Sequence, residues 1–344
     1  MADISSELID TEKVSAWIVE RADVEDPLTF ELIAGGRSNM TFTVYDGEIP
    51  KFVLRRPPTG PLLPSAHDMA REYRLMDALS NSRVPVPSMV GLCQDDAVNG
   101  RDFYVMQFVD GIVVRDIDIG SSFSEATRKT MSESLVATLI ALHEVDIDSV
   151  GLGDLAKRTG YIQRQVKRWT GQWQSSRTRD LPIVDAVAEK LMAQMPEPNP
   201  TAIAHGDYRL SNCMVDADGH VVAVLDWELC TLGEPMADLG GLLGYWHDPA
   251  ETDSTGDSET TGLAGFLTQE EIADLYSEGS GVAKDSINYY RAFAQWRLAC
   301  IAEGVYARYL AGQQGDQDED IDLERMNASV GERAERAAQL LGMI

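Results

Sequence analysis

The residues best suited to chemistry lie in one stretch, from Ile203 to Trp227. A short apolar run leads into His205-Gly206-Asp207, and Asn212 follows Asp207 by five positions. Two apolar arms, Cys213 to Val215 and His220 to Leu225, flank Asp216-Ala217-Asp218-Gly219, a strong hairpin signal. A hairpin of that length returns Asp226 to the neighbourhood of Asn212. One carboxamide and one carboxylate, completed by phosphate oxygens, make a suitable seat for Mg2+, a hard cation that keeps oxygen ligands. Asp207, on the loop before Asn212, is placed to accept a proton from an attacking hydroxyl, and Arg209 to aim a fixed cation at a transferring group.

Such residues need elements to hold them. Ser5 to Ala22 carries the periodicity of an amphipathic helix. Three strand-like runs follow, Leu28 to Ala34, Met40 to Tyr45 and Lys51 to Leu54, with Gly35-Gly36-Arg37-Ser38-Asn39 joining the first two. A glycine pair between strands lets backbone N–H groups approach phosphates, and Ser38 and Asn39 add side-chain donors; an ordinary hairpin turn would read the same way. Strand alternation puts Phe52 and Leu54 on one face and Val53 and Arg55 on the other, which favours Arg55 over Arg56 as the cation facing the site. A capping-box-like start at Ser65 and Asp68 opens a helix to about Ser80. On its flank Glu72 points inward and calls for a cation. Arg55 is the obvious partner, although a surface pair with a helix neighbour fits too.

Lys plus Arg number 29 against 56 Asp plus Glu, a formal net charge of −27. That surface repels nucleic acid and anionic lipid. It would attract a cationic substrate, or it serves solubility alone. Without a basic-then-apolar leader or an apolar run of membrane-spanning length, the expectation is a cytoplasmic protein with no membrane and no nucleic-acid partner. Four dispersed cysteines with no CxxC pair predict reduced packing residues.

His205-Gly206-Asp207 through Asn212, with the later Asp226-Trp227, resembles the catalytic loop and metal-binding Asp of the aminoglycoside phosphotransferase family, relatives of choline kinases and, more distantly, of protein kinases. Arg209 stands where the protein-kinase loop has a Lys, and Arg55 where kinase-like folds normally carry one. The resemblance implies an α+β, bilobal protein-kinase-like fold. An N-terminal lobe of antiparallel sheet plus helix (1–109) would bind nucleotide, and a mainly helical lobe (110–344) would hold catalysis and acceptor. By the same match Val105 to Gly111 is the hinge: Met106 lines the pocket rear, Gln107 offers a carbonyl and Val109 an N–H to the base. Pro235-Met236-Ala237-Asp238-Leu239 matches the element whose Asp braces the catalytic loop, so Asp238, with His205, is structural support; Glu234 departs from the Asp usual before that Pro. His143, closing a long helix from Ser124, is read as structural.

Helices are expected over Tyr161 to Gln174, Ile183 to Met195, Thr268 to Ser277, Ser286 to Leu310 and Ile321 to Leu341, and an exposed, mobile acidic loop over His247 to Gly262. The implied reaction moves the γ-phosphoryl of ATP or another nucleoside triphosphate, with Mg2+, to a hydroxyl of a small molecule. Three readings of the acceptor stand: an aminoglycoside-like compound, a hydroxyacyl thioester or other metabolite, or no acceptor in a nucleotide-binding module. The second has its own resemblance, since Phe52 to Pro58 and Arg71-Glu72-Tyr73 are similar to the kinase-like domains fused to some acyl-CoA dehydrogenases.

Overall fold

The structure is a computed structural model that describes residues 8–33, 39–58, 67–248, 256–312 and 322–344, with 256–258 by backbone alone. Helix α1 (Thr11–Val19) is capped by the Asp10 carboxylate; the first part of the helix expected from Ser5, residues 5–7, lies outside the described residues. Strands β1 (Thr29–Leu32), β2 (Met40–Asp46), β3 (Ile49–Arg56), β4 (Met89–Cys93) and β5 (Phe103–Gln107) form an antiparallel sheet in the order β1-β2-β3-β5-β4.

The expected alternation along β3 is present. Phe52 and Leu54 join the core made with Val14, Trp17 and Ile18 of α1, while Val53 joins the core shared with α2 (Met69–Leu79) and the rest of the chain. Both faces of the sheet are therefore covered, one by each helix, which fixes the direction of every β3 side chain. Arg56 points away from the site and donates to the Leu8 carbonyl. Helix α2 is capped by Asp68 itself, whose carboxylate accepts from the Arg71 N–H at 3.0 Å; Ser65 of the expected capping box lies outside the described residues.

Past a short helix α3 (Asp96–Asn99), strand β6 (Ile112–Val113) and helix α4 (Ile117–Ser122), none foreseen from sequence, the chain becomes mainly helical. Its helices are α5 (Glu125–His143), α6 (Tyr161–Ser176), α7 (Pro182–Ala193), α8 (Pro235–Tyr245), α9 (Gln269–Ser280), α10 (Ile287–Leu310) and α11 (Leu323–Leu340). Strand β7 (Ala202–Ala204) pairs with β10 (Thr231–Gly233), and β8 (Cys213–Val215) with β9 (Val221–Val224). Strand β6 adds to β8, and these two small sheets carry the stretch from Ile203 to Trp227. Helices α8 and α10 approach so closely that a Cβ on Gly240 would lie 2.6 Å from the Tyr290 backbone.

The expectation of an exposed loop over His247 to Gly262 is corrected in part. Gly256–Gly262 forms a 3-10 helix, and Thr260 and Thr261 are buried. Thr261 accepts from the His247 N–H, a tertiary contact that polar composition does not reveal. All four cysteines are buried and unpaired. No helix among the described residues is long and apolar enough to cross a membrane.

Candidate active site

The β8–β9 hairpin does what its turn residues predict. Leu225 N–H donates to the Asn212 carbonyl at 2.8 Å, which brings Asp226 beside Asn212. Asn212 in turn donates its amide to the Asp207 carboxylate at 2.9 Å and to the Asp207 carbonyl at 2.8 Å. With its NH2 group so committed, the Asn212 amide oxygen faces away from Asp207 as an acceptor. Arg209 Nε is 3.4 Å from the same carboxylate, and its guanidinium stacks over Tyr245 at 4.9 Å.

Asp226 occupies the left-handed region, with φ of +64°, a conformation that Asp tolerates better than most residues. The turn carries its carboxylate out of the ladder, while Trp227 next to it is buried and donates its indole N–H to Val224 at 3.0 Å. The Asp226 carboxylate is only partly exposed and meets Arg55 Nη2 at 2.9 Å. Arg55 Nη1 lies 3.5 Å from Glu72, so one guanidinium spans the two carboxylates. Burial acts against the Arg55 charge, but Tyr104, Glu72 and Asp226 outweigh it and raise its pKa. Burial likewise pushes the Glu72 carboxyl up, opposed by Arg55 and by the Tyr104 hydroxyl, which donates at 2.9 Å.

Asn39 sits behind this pair and not in front of it. It is buried, donates to Glu72 at 3.1 Å and meets His67 Nδ1 at 2.7 Å, so its side chain props the carboxylate that pairs with Arg55. That differs from the phosphate-facing donor expected from sequence. Gly35, Gly36 and Ser38 lie outside the described residues. At the other end of the sheet Met106 is buried. Gln107 N–H donates to Ser88 and Phe108 N–H to Lys51, and the Gln107 carbonyl and Val109 N–H take no part in those two bonds.

The loop that carries Asp207 is braced from below. His205 N–H and Gly206 N–H donate to the two Asp238 oxygens at 2.6 and 2.9 Å. Asp238 lies in the first turn of α8, where Pro235 at the start leaves the helix dipole to favour a carboxylate. Burial pulls the Asp238 pKa up, but the hydrogen bond and charge of His143, the charge of His205 and the Gly206 N–H together hold it below the usual value. His143 completes the brace between Asp238 and the Tyr276 hydroxyl. His205 ties the loop to the hairpin by a 2.8 Å contact with the Leu225 carbonyl. Gly206 has φ of +86°, and a Cβ there would fall 2.7 Å from the Leu229 carbonyl oxygen, so no other residue fits without displacement. Glu234, the departure noted in the sequence, accepts from the Tyr290 hydroxyl at 2.6 Å.

Three contributors were not foreseen. Tyr104 is the β-sheet partner of Arg55, a relation legible only once the β3–β5 register is fixed. Arg71 donates to the Cys230 carbonyl at 2.6 Å and couples α2 to the segment after Asp226. Arg297 of α10 donates to the Gly206 carbonyl and lines a narrow cleft with Asp207, Tyr245 and Phe293. Its position right after Trp296, in the buried aromatic run of that helix, was the available signal for it.

Among the described residues no cluster of three His, Cys, Asp or Glu side chains forms a metal cage. The donor set at the hairpin is instead one carboxylate and one amide oxygen, which fits a hard cation completed by phosphate oxygens and water.

A family model described as the phosphotransferase enzyme family matches residues 29–267. Human acyl-CoA dehydrogenase family member 11 is 35% identical over 301 residues, 86% of this chain and 38% of that protein. The chain thus spans well under half the length of that relative. A crystal structure from Ralstonia eutropha, provisionally named an aminoglycoside phosphotransferase, superposes with a TM-score of 0.82 at 34% identity, covering 97% of this chain and 98% of that one. The GDP complex of aminoglycoside 2'-phosphotransferase-IIIa has a TM-score of 0.64 at 13% identity, covering 95% and 99%, a likeness of fold. The architecture is the α+β, protein-kinase-like one that the sequence resemblance implied.

Proposed function

The chain belongs to the phosphotransferase enzyme family, and from that premise we propose that it moves the γ-phosphoryl of ATP or another nucleoside triphosphate to a hydroxyl of a small molecule. The observation that carries this reading is the convergence of Asp207, Asn212 and Asp226, held by the 2.9 Å Asn212–Asp207 bond and the 2.8 Å Leu225–Asn212 bond. Nucleotide would lie between the sheet part (1–109) and the helical part (110–344), with the Gln107 carbonyl and Val109 N–H on its base.

Asn212 and Asp226 would hold Mg2+, which supplies neutralisation of phosphate charge when bound. The chain's own groups account for the rest. Arg55, positioned by Glu72, binds phosphate oxygens as a bidentate fork where a Lys would offer a point charge. Asp207 accepts the proton of the acceptor hydroxyl as its oxygen attacks in line, and the Asn212 amide fixes that carboxylate in orientation. Arg209, beside Asp207, offsets charge on the transferring group.

For the acceptor, an aminoglycoside-like compound is one reading. A hydroxylated acyl thioester is the other, and the 35% identity to a protein named for acyl-CoA dehydrogenation favours it. Titration with ATP and GTP, with and without Mg2+, followed by nucleotide turnover against amines, sugars and hydroxyacyl thioesters, tests the proposal. Saturable, Mg2+-dependent turnover that needs a hydroxyl acceptor is expected. Failure to bind any nucleotide would remove it.

A further inference from the structure

The surroundings of Asp207 on the side of α8 and α10 have a charge of their own. The cleft there is lined by Gly206, Asp207, Tyr245, Phe293, Arg297 and Leu298 among others, and among the described residues its only carboxylates are Asp207 and Asp238. Asp238 is already committed to His205 and Gly206. A second cleft on the other flank of Tyr245, which includes Arg209, Ser211 and Trp246, is lined by no carboxylate among the described residues. Between the two, Arg209 stacks on Tyr245, and Arg297 reaches the Gly206 carbonyl with its Nη2 while its Nε is buried without a hydrogen-bond acceptor. Arg333 acts electrostatically on Tyr245 as well. Burial, then Asp207, push the Tyr245 hydroxyl up to about 12, and the three arginines oppose that rise.

The described acids of the 247–262 segment are occupied elsewhere. Asp248 accepts from the Gln269 N–H at 2.6 Å, and Glu259 lies 3.7 Å from Arg325. Among the described residues, a polycation entering beside Asp207 would meet Arg209, Arg297 and aromatic walls and, besides Asp207 itself, only the committed carboxylate of Asp238.

The geometry points to an acceptor that carries an anionic group, a carboxylate or a phosphate, seated by Arg297 while its hydroxyl meets Asp207. This inference rests on the phosphotransfer reading above and names the acceptor class within it. Arg297 then selects the acceptor by charge, beside the apolar walls of Phe293 and Leu298. The overall negative charge of the protein disfavours approach of such a molecule from afar, so discrimination is local, within the cleft.

The test uses the full chain with ATP and Mg2+ and three matched pairs: hydroxycarboxylates against their methyl esters, polyol phosphates against the free polyols, and a hydroxyacyl coenzyme A against its neutral N-acetylcysteamine thioester. An aminoglycoside serves as the cationic arm. At least one anionic member should exceed its neutral partner in kcat/KM by about tenfold or more, as loss of a charge-assisted contact implies. Arg297→Gln should shrink that ratio mainly through KM, Arg297→Lys should retain part of it, and ATP affinity should not change. The pair that responds identifies carboxylate or phosphate as the source. If Arg297→Gln lowers both members of each pair equally, Arg297 only supports Gly206 and the inference falls. Preference for the neutral or cationic compounds overturns it too. Where no compound is turned over, thermal shifts of the nucleotide-loaded protein decide: the absence of an anion-selective, Arg297-dependent shift, with ATP still bound, sinks this inference and leaves the phosphotransfer reading standing.

Discussion

Arg55 Nη2 lies 2.9 Å from Asp226 Oδ1, joining the third strand of the sheet to the end of the β8–β9 hairpin across 171 positions of sequence. The same guanidinium reaches Glu72 at 3.5 Å. Arg55 thus joins Arg71 in tying the sheet and α2 to the hairpin region, and phosphate oxygens would compete with Asp226 for it. If the pair acts as a unit, Arg55→Ala and Glu72→Ala each weaken nucleotide use, and the double variant loses less than the sum. A coupling of about 0.5–3 kcal/mol is expected from a double-mutant cycle on ATP KM. Additive losses would mean that Glu72 does not position Arg55.

Asp226→Asn should keep the fold, because Asn also tolerates the left-handed backbone that Asp226 adopts. Turnover should fall on the order of 10²-fold or more, as removal of a charged group at developing phosphate charge implies. Unchanged melting with collapsed kcat is the expected pair of readings; wild-type rates at ordinary Mg2+ would take Asp226 out of the site.

Gly206→Ala places a Cβ 2.7 Å from the Leu229 carbonyl in a residue at φ of +86°. The loop must shift, at about 1–3 kcal/mol, and Asp207 shifts with it. Reduced stability together with reduced turnover is expected from thermal melts and steady-state rates. A variant as active and stable as the parent would show that the loop has slack.

Asp238 supplies the pH test. Its pKa is held below the ordinary 3.8, so its contribution to stability is present above that value and is lost as pH falls through the lower, folded-state pKa. Asp238→Asn should cost about 1.5–3 kcal/mol near neutral pH, the range for hydrogen bonds to a charged group. The gap to the parent should then narrow as pH drops below about 3.8 in acid unfolding. A gap that stays constant down to the acid transition would mean that Asp238 does not carry its charge in the brace.

Much of this site was legible because local signals set it. Turn residues between two apolar arms brought Asp226 to Asn212, and strand alternation chose Arg55 over Arg56. What failed was what tertiary packing decides. Asn39 turns its amide to Glu72 because α2 lies against the sheet there, a neighbour that its position between strands does not disclose. Thr231–Gly233 is too short a run to signal a strand and becomes one by pairing with Ala202–Ala204. Arg297 stands 91 positions from Gly206 in a helix whose aromatic residues read as core, which most of them are.

The central claim is that Asp207 is the base for phosphoryl transfer, and one measurement addresses it most directly. ATP labelled at the γ-phosphate is incubated with the protein, Mg2+ and the hydroxyl-bearing panel, and label is followed into the acceptor for the parent and for Asp207→Asn. The parent should label an acceptor. The variant should bind ATP with the same affinity and transfer about 10²–10⁴-fold more slowly, the range for loss of a general base. Transfer by Asp207→Asn at the parent's rate, or a parent that binds ATP and labels no hydroxyl compound, would contradict the account.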